Sequence, residues 1–156
     1  MEGKNIHLDI TKFLPHRAPM LMVDYITAID EESVTAEFFI TPDCVFLSKD
    51  KLSEVGLIEN AAQTCSSIIG QTYFEKDDTE GKTNTIVGFI SGIKNLTIHQ
   101  LPSKENLLRT EAQLVSMYET GEVSLGTISC STFLQNEIIV DCTFNFLIKE
   151  VSHEKK

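Results

Sequence analysis

Apolar side chains recur at every second position from Ile138 through Val140, Cys142, Phe144 and Phe146 to Ile148, with mostly polar residues between them. That period predicts a strand with one face on the core. A different period governs residues 53–73, where Ile58, Ala62, Cys65 and Ile69 are three or four apart. This spacing predicts a helix with a buried face, and Ser53 is placed to cap its start. Ahead of it, residues 10–14 predict a short helical turn before Pro15. Residues 21–26 and 33–40 predict a strand pair joined by a turn at Asp30-Glu31-Glu32. Pro42, Asp43, Ser48 and Asp50 interrupt the pattern over 41–50 and predict irregular backbone there. After the helix, the acidic and polar stretch 75–84 reads as an exposed loop. Further strands are predicted at 86–98, 105–119 and 123–134, with turns at Thr120-Gly121 and near Gln135-Asn136. Gly88 and Gly92 predict a bend or a close backbone approach in the first of these. The tail 152–156 is expected to fray.

The order is two strands, one long helix, then four β segments. An apolar sheet face and a single dominant helix must cover one another, which gives an α+β architecture with the sheet wrapped around the helix. Residues 1–156 read as one domain. Long antiparallel strands leave edges, and the helix keeps a polar stripe, so a second protomer is the natural cover for both.

Charge narrows the function. Thirteen basic residues stand against twenty-three acidic ones, the formal charge is -10, and the only arginines are Arg17 and Arg109. Without a basic block, phosphate-backbone binding is disfavoured, so no nucleic-acid partner is expected. No apolar run approaches the roughly 18–20 residues that span a bilayer, and no membrane partner is expected. The first residues, Met1-Glu2-Gly3-Lys4-Asn5, are not followed by an apolar segment of secretory type, which predicts a cytoplasmic protein. Cys44, Cys65, Cys130 and Cys142 show no CxxC spacing and read as reduced core residues, not as disulfides or zinc ligands. No metal or cofactor is expected.

The candidate chemistry lies in Gly56-Leu57-Ile58-Glu59-Asn60-Ala61-Ala62-Gln63. Glu59 is a carboxylate among apolar and small residues, and Gln63, four positions on, lies above it on the same side of a helix. A carboxylate so placed costs free energy unless it is paired, hydrogen-bonded or used in a reaction. The alternative is that it caps a nearby donor or faces solvent.

Three stretches together resemble the hotdog-fold β-hydroxyacyl-[acyl-carrier-protein] dehydratases. Leu14-Pro15-His16-Arg17-Ala18-Pro19-Met20-Leu21-Met22-Val23-Asp24 is similar to their N-terminal signature. Residues 56–63 resemble the start of their central helix, and Val87-Gly88-Phe89-Ile90-Ser91-Gly92-Ile93-Lys94 a later strand. The likeness spans about 10–149 and implies the hotdog fold.

For function, the resemblance implies Glu59 as the catalytic carboxylate, with Gln63, Gly56, Cys44, Val45, Phe46, Phe89 and Gly92 lining the substrate pocket. His16 and Arg17 are implied to be structural, with Arg17 holding Asp24 or a backbone carbonyl. Active members of that family carry a histidine fourteen positions before the glutamate. Here that position is Val45, and no histidine lies between His16 and His99. Dehydration of a 3-hydroxyacyl thioester needs a base for the C2 proton and an acid for the departing hydroxyl. The carboxylate of such a pair is present and the imidazole is expected to be absent. Three functions remain open. The chain acts on or binds 3-hydroxyacyl-[acyl-carrier protein] as a dehydratase-like lyase; it hydrolyses acyl-CoA or acyl-carrier-protein thioesters through Glu59; or it is a non-catalytic acyl-binding subunit of a heteromeric dehydratase. The expected partners are an acyl thioester and a second chain, as a homodimer or as a heteromer with a histidine-bearing homologue.

Overall fold

The computed structural model describes residues 6–73 and 84–152. Nine strands and one long helix run along them. β1 (Leu8–Asp9) leads into a single 3-10 turn (Ile10–Lys12), and β2 (Tyr25–Ile29) and β3 (Ser33–Phe39) form a hairpin. β4 (Leu47–Ser48) and β5 (Lys51–Leu52) make a small separate ribbon before α1 (Glu54–Tyr73). Then come β6 (Asn84–Ile98), β7 (Leu107–Glu119), β8 (Val123–Leu134) and β9 (Glu137–Ser152). Seven strands form one antiparallel sheet in the order β1-β2-β3-β7-β8-β9-β6. This is the hotdog arrangement, a sheet wrapped around a central helix.

The wrapping is visible in the burial of α1. Leu57, Asn60, Ala61, Ala62, Gln63, Thr64, Cys65, Ser67, Ile68 and Ile69 are all buried, so the enclosed part of the helix is wider than the single face predicted from its apolar spacing. The small residues Ala61, Ala62 and Ser67 allow the sheet to approach. From the sheet, Val34, Ala36 and Phe38 of β3, Leu108 and Ala112 of β7, and Ile128 of β8 join the same core. Fully burying one Leu, Ile or Phe contributes about 1.5–3 kcal/mol.

β9 departs from the uniform alternation at its start. Val140, Cys142, Phe144, Phe146 and Ile148 face inward, whereas Ile138 is exposed and Ile139 is buried. A register shift between Thr132 and Phe133 in the pairing of β8 with β9 accounts for this, because one extra residue reverses the facing of what precedes it. The strand expected at 21–26 begins only at Tyr25, since the backbone of Met22 is tied to Asn60 and Gln63 of α1 instead. Residues 41–52 are irregular except for the β4–β5 ribbon. The loop expected at 75–84 lies, except for Asn84, outside the described residues, as does the tail beyond Ser152.

Cys65, Cys130 and Cys142 are buried and free, and Cys44 is partly exposed. The Sγ atoms of Cys130 and Cys142, directly opposite on β8 and β9, are 3.2 Å apart. The hydrogen bond to Cys130 and then burial push the Cys142 thiol up from its ordinary value. At Cys130 that bond acts downward, but the contact with Cys65 and burial outweigh it, and the net direction is again upward. β6 closes one side of the sheet. It pairs with β9 and with no other strand among the described residues, and exposes Phe89, Ile90, Ile93 and Leu96.

Candidate functional site

α1 begins where Ser53 stops the ribbon. The Gly56 N–H points to Ser53 Oγ at 3.4 Å, and Glu54 in the first turn complements the positive end of the helix dipole. Gly56 is required by close approach: a Cβ there would stand 2.6 Å from Leu52 Cδ1 and 2.7 Å from Phe46 Cβ. Phe46 packs against the core, Cys44 Sγ lies 3.8 Å from Met22 Sδ, and Val45 is exposed.

One turn further along, two buried side chains clasp the loop 14–24 to the helix. Asn60 Nδ2 donates to the Met22 carbonyl at 2.7 Å, and its Oδ1 accepts from Thr110 Oγ1 at 2.8 Å. Thr110 in turn meets Thr132 at 2.9 Å. Gln63 Oε1 accepts from the Met22 N–H at 2.8 Å. That bond fixes the amide orientation, because only an oxygen can receive an N–H. Gln63 Nε2 is thereby aimed at the Met20 carbonyl, 2.9 Å away, and at Glu59 Oε1, 2.7 Å away.

Glu59 is held at the edge of this clasp. Its side chain is 31% exposed, and Oε2 makes no hydrogen bond among the described residues. His16 Nε2 stands 3.8 Å from Glu59 Oε1. An imidazole other than that of the missing loop histidine therefore stands beside the carboxylate. It comes from the N-terminal loop, not from the loop before the helix, and a separation of 43 positions hides this contact in a reading of local motifs.

Arg17 donates from Nη1 to the carbonyls of Leu14, at 2.9 Å, and His16, at 2.8 Å, so of its two expected partners it takes the backbone. Asp24 instead accepts the Phe39 N–H at 2.7 Å. Burial raises the Asp24 carboxyl above its ordinary value, partly opposed by that hydrogen bond. Phe89 and Gly92 lie on β6, with Gly92 at a register shift, and neither is linked to Glu59 by a hydrogen bond or ion pair among the described residues. A groove of about 650 Å³ lies away from Glu59, lined largely by outward polar side chains such as Thr35, Glu111, Gln113, Ser131 and Thr143. Among the described residues, no group of three His, Cys, Asp or Glu could hold a metal ion, and no helix is long and apolar enough to cross a membrane.

With this geometry in view, residues 8–154 match the ApeP-like family, described as ApeP dehydratase. The chain belongs to that family. This ApeP-like protein is 21% identical over 151 residues to a 3-hydroxyacyl-[acyl-carrier-protein] dehydratase of Lactococcus lactis subsp. lactis, covering 94% of this chain and 92% of the relative. Among solved structures it resembles the dehydratase heterocomplex ApeI:P from Xenorhabdus doucetiae, with a TM-score of 0.72 at 18% identity over 96% of this chain and 94% of the other. A mutant thioesterase from Pseudomonas aeruginosa shares the fold more distantly, with a TM-score of 0.57 at 10% identity over 81% of each chain. At these identities the structural likenesses establish the hotdog fold, and the ApeP-like match establishes the family.

Proposed function

We propose that this ApeP-like chain handles acyl thioesters as one subunit of a heteromeric hotdog dehydratase, contributing Glu59 to proton transfer on a 3-hydroxyacyl-[acyl-carrier protein]. The observation that carries this reading is the state of Glu59. The carboxylate is oriented by Gln63, reaches solvent, and keeps one oxygen without a hydrogen bond among the described residues. The loop before α1 holds Cys44 and Val45 where a second proton-transfer group is expected, so a histidine-bearing partner supplies it. The N–H groups at the start of α1 can polarise a thioester carbonyl. The edge of β6, unpaired among the described residues, and its exposed Phe89, Ile90 and Ile93 provide a surface for the partner. The relative solved as the ApeI:P heterocomplex supports pairing of unlike subunits.

The test is enoyl-thioester formation from 3-hydroxyacyl-[acyl-carrier protein] by the chain alone and mixed with a histidine-bearing hotdog homologue. Turnover is expected only in the mixture, with a mixed assembly in native mass spectrometry. Glu59→Gln should lower that turnover on the order of 100-fold, while its melting temperature stays close to that of wild type. Thiol release in place of enoyl product would identify a hydrolase. A lack of both turnover and mixed assembly would remove the heteromer reading.

A further inference from the structure

His16 has two unlike nitrogens. Nε2 faces Glu59 Oε1 at 3.8 Å, whereas Nδ1 is buried and has no hydrogen-bond partner among the described residues. The two tautomers of a neutral imidazole differ in which nitrogen carries the proton. Nδ1 is unsatisfied in either form, as a donor without an acceptor or an acceptor without a donor, so the choice falls to Nε2: without a proton it would set its lone pair against the Glu59 carboxylate. A proton on Nε2 points toward a carboxylate oxygen. The Glu59 carboxylate already has Gln63 Nε2 at 2.7 Å on that same oxygen, and Gln63 cannot rotate away because the Met22 N–H holds its Oε1.

We infer that His16 is a positioning residue: as the Nε2–H tautomer it stands with Gln63 as a second donor around Glu59 Oε1 and leaves Oε2 as the atom that moves the proton. This rests on the proposed role of Glu59. It gives His16 a task other than that of the missing histidine, because the one nitrogen facing the site carries a proton and has no lone pair for a base. Arg17 sets the ring in place by gathering the carbonyls of Leu14 and His16 on one guanidinium nitrogen. At 3.8 Å the His16–Glu59 contact is long. A side-chain movement of about 1 Å makes it a hydrogen bond, and active-site bonds that are loose without substrate commonly tighten when it binds.

The test has two arms. Nitrogen-15 NMR of the full chain near pH 8.5, where an ordinary imidazole is neutral, should show His16 Nδ1 unprotonated and Nε2 protonated. The Nε2 signal should move in Glu59→Gln. A proton on Nδ1, or an Nε2 signal indifferent to Glu59→Gln, would overturn the assignment. In the mixed assembly, His16→Phe, which keeps a ring and removes the donor, should lower kcat about tenfold with KM within about twofold. His16→Gln, which restores an Nε2 donor, should recover most of that loss, and in the Glu59→Gln background His16→Phe should have no further effect. A merely structural His16 would instead lower stability in both backgrounds and leave kcat per folded molecule unchanged, which overturns the proposal. If no assembly turns over substrate, the function proposed for Glu59 fails and the NMR arm alone decides the tautomer and its coupling to Glu59.

Discussion

Residues 14–24 and residues 41–52 both run past the first turns of α1, but they are anchored by different forces. The first loop is held by helix side chains: Asn60 and Gln63 bond the backbone of Met20 and Met22 across about forty positions of sequence. The second is held by its own backbone and by apolar contact. Cys44 N–H bonds Thr41 O, Leu47 N–H bonds Cys44 O, and Leu52 N–H bonds Pro102 O, while Leu52 and Phe46 pack on Gly56. Backbone bonds are indifferent to side-chain identity. The second loop can therefore carry Val45 where relatives are expected to have histidine and still keep its path. The first loop depends on two buried amides. Part of the motif around Glu59 thus serves folding, and its presence alone does not argue for turnover.

The largest predicted effect breaks the clasp. Asn60→Ala strands the Met22 carbonyl in the interior, leaves the Thr110 hydroxyl only Thr132, and opens a cavity beside them. It should cost about 3 kcal/mol, or a fall of about 6–12 °C in melting temperature for a chain of this size, measured by calorimetry. A smaller effect concerns pH. Burial raises the Asp24 carboxyl, so the folded state holds that proton more tightly than the unfolded state. Stability from this residue is then greatest at low pH and is lost as pH rises from the ordinary aspartate value of 3.8 toward the raised folded value. Asp24→Asn retains an acceptor for Phe39 N–H and should remove this decline, seen in the difference between the two melting curves across that range. Asp9 and Asp30 are shifted downward by their local hydrogen bonds and slope the other way, which is why the difference is the proper measure. The smallest effect sharpens the contrast between the loops. Val45→His, at an exposed position held only by its neighbours, should change stability by less than about 0.5 kcal/mol.

Most of the fold was legible from periods and punctuation. β7, β8, β9 and the helix follow spacing two and spacing three to four, because each is long enough for its buried face to repeat, whereas β6 has no buried position among its described side chains. The turn at Asp30-Glu31-Glu32 was legible because an Asp side chain can bond its own backbone, and Asp30 Oδ1 accepts from the N–H groups of Glu32 and Ser33. The departures occur where distant groups override local preference. Leu21–Asp24 has the composition of a strand but gives the Met22 N–H and carbonyl to Gln63 and Asn60. Ile138 keeps the alternating pattern in sequence and loses it in space, because Ile139 is an extra residue on β9 opposite the Thr132/Phe133 step of β8, which only the strand pairing reveals. At the site, Glu59 and Gln63 were legible as neighbours on one helix face. The approach of His16 was not, since it depends on how an irregular loop is tied down.

The partition of the four thiols makes the unmodified chain a convenient instrument. Cys65, Cys130 and Cys142 are enclosed, and the last two are held further from the thiolate form, so alkylating reagents meet them slowly. Cys44 is the partly exposed one, beside Met22 and one residue from Val45. A maleimide dye would therefore be directed to a single place, and its emission would register the arrival of an apolar chain near the first turn of α1 without any engineered cysteine.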